Sequence, residues 1–164
     1  MKVFITGGSG FVGSAVVQEL ISAGHKVTGL ARSDGSASKL VAAGASVVRG
    51  EITDYEIIAD SAKAADAVVH LAFNHDFSRF AENCAEDAKL IATVADALAG
   101  TQRPFLVTSG ILVADLSTGI IDESTPTGKI PRGASENAVS DAVAKGVRAT
   151  AIRLPPSVHG TGDH

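Results

Sequence analysis

The sequence predicts a doubly wound α/β fold, a parallel sheet with helices on both faces, on three observations. Short apolar runs alternate with longer helix-patterned segments along the whole of the 164 residues, which is the rhythm of repeated βα units. The first of these runs, Val3 to Ile5, ends at Thr6 in a glycine cluster and is followed directly by an apolar-periodic segment, the signature of strand, tight turn and helix. Apolar residues make up 45 % of the chain but aromatic residues only 4 %, so the core between the layers is Val, Ile, Leu and Ala. A single domain of this size buries about 70 % of its extended-chain surface.

Taken in order, helix one runs from about Phe11 to Ala23 and stops at Gly24, a suitable C′ residue. Strand two is Lys26 to Ala31. A short helix from about Ala37 to Ala43 ends at Gly44, and strand three is Ser46 to Arg49. A third helix covers Tyr55 to Lys63, and AVVHLA, Ala67 to Ala72, reads as strand four. The longest helix runs from Phe77 to Leu98 and stops at Gly100. Strand five is Phe105 to Thr108, a helix from about Ala134 ends near Gly146, and Arg148 to Leu154 is strand six. Right-handed crossovers then predict strand order 3-2-1-4-5-6, with a ligand crevice at the carboxyl ends of strands one and four. The one long irregular stretch, Ser109 to Gly133, leaves the carboxyl edge of strand five, where a substrate would lie.

The glycine cluster reads as Gly8-x-Gly10-x-x-Gly13 or as Gly7-x-x-Gly10-x-x-Gly13, and the two share Gly10 and Gly13. Glycine here allows positive φ, lets the backbone approach a pyrophosphate, and lets the helix pack closely on its strand. The unpaired N–H groups at the helix start, around Phe11 and Val12, face the anion. With a strand before it and a helix after it, the cluster meets the context that a dinucleotide fingerprint requires.

Other classes are disfavoured. The net charge is −4 without a basic run, which gives no reason to propose nucleic acid or an anionic membrane as a partner. No apolar run approaches the ~20 residues of a membrane span and no signal peptide is visible, so the expected location is the cytoplasm. The single Cys84 has no partner for an internal disulfide and is expected as a buried, inert thiol in the long helix. His70, inside an apolar strand, is expected as a satisfied core histidine. The histidines lack metal-ligand spacing, so no metal is expected.

By these residues the chain resembles the extended and atypical short-chain dehydrogenase/reductases, the NAD-dependent epimerase/dehydratase group. TGGSGFVG at Thr6 to Gly13 is similar to that family's TGxxGxxG. VVHLA at Val68 to Ala72, DESTP at Asp122 to Pro126 and RLPPSVHG at Arg153 to Gly160 resemble three further signatures in the expected order. The resemblance implies an NAD(P)-binding Rossmann domain. It also implies an oxidoreductase or epimerase/dehydratase acting on a small carbonyl or alcohol substrate.

Two departures stand against it. The family's Tyr-x-x-x-Lys pair, proton donor and its pKa-lowering partner, aligns with Arg132-Gly-Ala-Ser-Glu136, and the only tyrosine is the distant Tyr55. Arginine stays protonated, so Arg132 could only orient a substrate or stabilise charge, whereas Glu136 could act as a base if burial raised its pKa. Members also continue past strand six into a smaller region that closes over substrate, while this sequence ends at Gly162-Asp163-His164. The expectation is one dinucleotide-binding domain, residues 1–164, lacking most of that region.

Cofactor choice is set at the end of strand two, where an acidic residue would bind the adenosine ribose and an arginine would accommodate a 2′-phosphate. Ala31 stands at the acidic position and Arg32 and Ser33 follow, so NADP is expected over NAD. The resemblance implies that Glu51 and Ile52 lie against the adenine, that Leu71, Ala72 and Phe73 pass their backbone beside the cofactor, and that Pro155 to Val158 meet the nicotinamide amide. Thr108 and Ser109 end strand five, where the family keeps a hydroxyl for the substrate oxygen. His75, just beyond strand four, or His159, beyond strand six, could supply the proton that the missing tyrosine would have given, since imidazole titrates near neutrality. Ser109, His75 and Arg132 are therefore the catalytic candidates. Three alternatives stay open: an enzyme with a non-standard site, a non-catalytic module that senses dinucleotide redox state, and a fragment without independent function. A homodimer through the long helices is expected only by analogy with the family.

Overall fold

A computed structural model describes residues 1–160; the expected chain ending at Gly162-Asp163-His164 lies outside the described residues. Six parallel strands, β1 (Lys2–Thr6), β2 (Lys26–Ala31), β3 (Ser46–Arg49), β4 (Ala67–His70), β5 (Phe105–Gly110) and β6 (Ala149–Leu154), form one sheet. Their order is β3-β2-β1-β4-β5-β6, as the sequence predicts. The helices are α1 (Phe11–Ser22), α2 (Asp34–Ala42), α3 (Tyr55–Ala64), α4 (Phe80–Leu98) and α5 (Gly133–Ala144).

The period-two alternation of the strands sends neighbouring residues to opposite faces. Phe4, Val68, Phe105 and Val107 pack with Ile58 of α3, Leu90, Ile91 and Val94 of α4 and Val139 of α5. Ile5, Val27 and Ala31 pack on the other face with Val17 of α1 and Leu40 of α2. Each strand buried on both sides reads as a nearly continuous apolar run, which is why the runs were legible.

The boundaries differ at the site. Helix α2 starts at Asp34 because the Ser33 hydroxyl caps it, accepting the Ser36 N–H at 3.2 Å. Strand β4 ends at His70, earlier than the apolar run suggests. Leu71 still donates its N–H to the Thr6 carbonyl at 3.1 Å, but the chain then leaves the sheet to pass beside Gly7. Before α4, Asp76 caps a single 3-10 turn, Phe77–Arg79, by accepting the Ser78 N–H. Among the described residues no helix is long and apolar enough to cross a membrane.

Candidate functional site

The turn from β1 into α1 leaves no room for a side chain at Gly7 or at Gly13. Gly7 has φ +72°, and a Cβ there would stand 2.6 Å from the Ala72 nitrogen. A Cβ on Gly13 would collide with the Gly7 carbonyl oxygen. Gly8, by contrast, is buried toward Ile5, Leu40 and Val17 and does not face the crevice. Of the two readings of the cluster, the one through Gly7, Gly10 and Gly13 therefore describes the open side of the turn. Gly10 is the N-cap of α1 and brings no side chain to the first amides, so the N–H groups of Phe11 and Val12 remain open to an anion.

Above this turn lies a cleft of about 730 Å³ at the carboxyl ends of β1, β2 and β4. It brings together Gly7, Gly10, Phe11, Val12, Gly13, Arg32, Glu51, Ile52, Leu71, Ala72, Phe73 and His75, all singled out from the sequence. Ser9, Ser36, Gly50, Thr53, Asn74, Arg79 and Glu86 also line it and were missed. Ser9 lies inside the glycine motif and was within reach of the reading. Arg79 ends the 3-10 turn before α4 and Glu86 lies in the second turn of α4, and no sequence pattern says that this helix end leans over the crevice.

The remaining candidates lie outside the cleft lining. Ser33 caps α2, and Pro155 and Val158 follow β6. Thr108 donates its hydroxyl to the His70 carbonyl at 3.2 Å. Ser109 is buried, and its Oγ has no hydrogen-bond partner of normal geometry among the described residues.

Arg132 belongs to a buried polar chain that runs beneath the cleft. Thr6 Oγ1 lies 2.6 Å from His70 Nδ1, and His70 Nε2 lies 3.0 Å from Asp87 Oδ1. With the ring proton on Nε2 facing the carboxylate, Nδ1 accepts from the Thr6 hydroxyl, a tautomer assigned from the hydrogen bonds. Asp87 Oδ2 accepts from Ser135 Oγ at 2.6 Å and from the Arg132 guanidinium. Arg132 also donates to Ser135 Oγ and to the Thr108 carbonyl, and its guanidinium lies 4.1 Å over the ring of Phe73. Burial alone would raise the Asp87 carboxyl; the hydrogen bond and proximity of His70, the Arg132 charge and the Ser135 hydroxyl outweigh it and hold the group below the usual carboxylate range.

Glu136, one turn along α5, faces a different partner. Arg153 of β6 grips its carboxylate with Nε and Nη2 at 2.8 to 3.2 Å and ties down the DESTP segment through the Thr125 carbonyl at 2.8 Å. Burial opposes ionisation here too, but Arg153, the nearby Ser109 hydroxyl and Arg132 lower the Glu136 pKa. Glu136 is therefore ionised at neutral pH and matched to a cation, and the raised pKa that a base would need is not what its surroundings produce. His70 is the satisfied core histidine expected, and burial pushes the Cys84 thiol up, so it carries no thiolate at neutral pH.

Comparison with known proteins follows the same lines. The profile of the NAD dependent epimerase/dehydratase family matches residues 3–145. The chain is 41 % identical over 166 residues to an uncharacterized protein of Schizosaccharomyces pombe, covering all of this chain and 56 % of that protein. It is 45 % identical over 171 residues to an uncharacterized protein of Saccharomyces cerevisiae, at 99 % and 56 % coverage. The chain thus spans little more than half the length of these curated relatives. In fold it is similar to the enzyme WbmG of Bordetella bronchiseptica in complex with NAD and UDP, with TM-score 0.76 and 24 % identity over 92 % of this chain and 52 % of that one. It is also similar to a UDP-glucose-4-epimerase of Stenotrophomonas maltophila with bound NAD, with TM-score 0.75 and 22 % identity over 100 % and 59 %.

These structures correct the expectation of NADP, because the nicotinamide dinucleotide they hold is NAD. The charges around Arg32 give the physical reason. A 2′-phosphate is best held by more than one cation. Arg49, on the adjacent strand end, is instead paired with Asp34, and Glu51 brings a further negative charge to the same side of the cleft.

Proposed function

The chain belongs to the NAD dependent epimerase/dehydratase family, and on that footing we propose that it is an NAD-binding domain of a dehydrogenase or epimerase with a non-standard active site. The observation that carries this reading is the turn at Gly7, Gly10 and Gly13, whose glycines let the backbone pack closely on Ala72 and on itself and leave the first amides of α1 open at the cleft, a seat for a diphosphate. Glu51 and Ile52 would then lie along the adenosine side, and Leu71, Ala72 and Phe73 beside the nicotinamide ribose. NAD supplies a ring that accepts or releases hydride at a substrate carbon.

The chain's own residues would divide the remaining work. His75 is exposed on the cleft wall, where its imidazole can reach a substrate oxygen as a general acid or base. Ser109 holds, near the end of β5, a hydroxyl with no hydrogen bond of normal geometry, suited to orienting a substrate oxygen. Arg132 cannot exchange a proton and fixes positive charge behind Phe73. The rest of a substrate pocket would come from chain that the longer relatives have in addition.

A second reading is favoured by the state of Arg132 and Glu136, each matched to an oppositely charged partner at the positions where the family resemblance implies the tyrosine and lysine. On that reading the domain binds dinucleotide and reports its redox state without turnover. Fluorescence titration with NADH, followed by NADH oxidation over a panel of carbonyl compounds in the protein and in His75→Ala, separates them. Binding with turnover that His75→Ala abolishes supports the enzyme; binding alone supports the sensor. No NADH binding overturns both.

A further inference from the structure

We propose that Glu86 of α4 is a second carboxylate at the adenine end of the cleft and that it selects a 6-amino over a 6-oxo purine in the bound dinucleotide. This rests on the NAD-binding reading above and adds the residue that reads the base. A diphosphate seated on the glycine turn sends its adenosine half toward the ends of β2 and β3. There Glu51, Ile52 and Thr53 form one wall of the cleft, and Glu86 lines the same cleft from α4.

Tyr55 ties Glu86 to this end. It opens α3 directly after the turn in which Asp54 donates its N–H to the Glu51 carbonyl, and its phenol is pushed up by burial first and by the Glu86 charge second. Lys89, one turn of α4 beyond Glu86, stands 4.2 Å over the Tyr55 ring. The face of α4 that carries Glu86 and Lys89 is therefore turned to the start of α3. The Glu86 side chain is 31 % exposed, and the Arg79 guanidinium does not take up its oxygens, being bonded to Glu82 at 2.6 Å and standing 3.9 Å from Glu86.

Adenine carries an exocyclic amine with two hydrogens in the plane of the ring, and a carboxylate is an acceptor that cannot itself donate. With Glu51 on one wall and Glu86 on the other, each hydrogen has its own acceptor. A 6-oxo purine turns an oxygen to the same place. Its N1–H can serve one carboxylate, but the other then faces a lone pair, and a site built around a donor rejects the ligand that lacks it.

The test is fluorescence titration of the whole chain with NADH and with reduced nicotinamide hypoxanthine dinucleotide, which share the fluorescent ring and differ only at the purine. Wild type is expected to bind NADH about tenfold or more tightly than the hypoxanthine form, roughly the effect of one hydrogen bond to a charged group. Glu86→Gln should cut that preference at least about threefold, and taking the ratio cancels the change in the net charge of the cleft. Glu82→Gln, on the same helix but outside the cleft lining, should leave it within about twofold of wild type. Equal binding of the two nucleotides by wild type, a smaller change in Glu86→Gln, or an equal change in Glu82→Gln overturns the proposal while leaving the cofactor reading intact. Absence of NADH binding by wild type overturns the cofactor reading and this one with it.

Discussion

Asp87 of α4 and Arg132 at the start of α5 stand 45 residues apart in sequence and form a buried ion pair under the cleft. The pair joins α4 to α5 beside the Ser135–Asp87 hydrogen bond, and it fixes the guanidinium that covers Phe73. Removing one partner of such a pair leaves an uncompensated buried charge and costs about 3 kcal/mol. Asp87→Asn is expected to lower the urea midpoint accordingly, while Arg79→Ala, which breaks an exposed pair with Glu82, shifts it far less. Equal shifts in the two variants would contradict the assignment.

The same carboxylates predict the pH response. Asp87 and Glu136 have folded pKa values below their unfolded ones, which are about 4. Each therefore contributes stability that is fully present above about pH 5 and is lost as pH falls through the folded value, because the unfolded chain binds the proton first. Melting temperatures measured from pH 7 to pH 3 should be flat down to about 5 and then fall. The acid limb should be shallower in Asp87→Asn, and an unchanged slope would remove Asp87 from the account.

Gly13→Ala is expected to damage the cradle. The added methyl meets the Gly7 carbonyl, which is backbone and cannot swing aside, so α1 must shift outward. Overpacking of this kind costs about 1 to 3 kcal/mol and moves the open amides away from the diphosphate. NADH affinity should fall more than tenfold, roughly the effect of misplacing one or two charge-assisted hydrogen bonds. Gly24→Ala, at φ +81° but with open space around it, should cost stability and leave NADH affinity unchanged.

Arg32→Ala tests the correction to the cofactor. Had this guanidinium held a 2′-phosphate, its loss would weaken NADPH by about tenfold or more. With NAD in the cleft, the NADH dissociation constant should stay within about threefold of wild type, since an exposed side chain next to an acidic rim contributes little. A titration in which Arg32→Ala selectively abolishes NADPH binding would reverse that conclusion.

The fold was legible because it is written in local signals. Strands buried on both faces read as apolar runs, and the chain stops for glycine at Gly24, Gly44, Gly100 and Gly146, all of which adopt positive φ. The cradle was legible for the same reason, although only the structure separates Gly8, turned to the core, from Gly7. The Asp87–Arg132 pair was not legible. Sequence spacing carries no record of which face of α4 meets the start of α5, and an aspartate in a helix reads as a solvated charge until its burial is known. Arg32 misled because one residue was read without the ion pair between Arg49 and Asp34 that sets the field around it.

Ser109 separates a structural hydroxyl from a functional one. Its Oγ is buried with no hydrogen bond of normal geometry, its approach to the Glu136 carboxylate falling short of one, and a buried hydroxyl so poorly satisfied costs about 1 to 3 kcal/mol that a methyl group in its place avoids. Ser109→Ala should therefore melt at or above the wild-type temperature. If the hydroxyl orients a substrate oxygen, the same variant should lose about tenfold or more in kcat with an active carbonyl substrate, with NADH affinity unchanged. A stabilised variant with reduced turnover is the pattern of a residue kept for chemistry at the expense of packing. A variant that melts lower and turns over at the wild-type rate would mean that the hydroxyl supports Glu136 and has no part in the reaction.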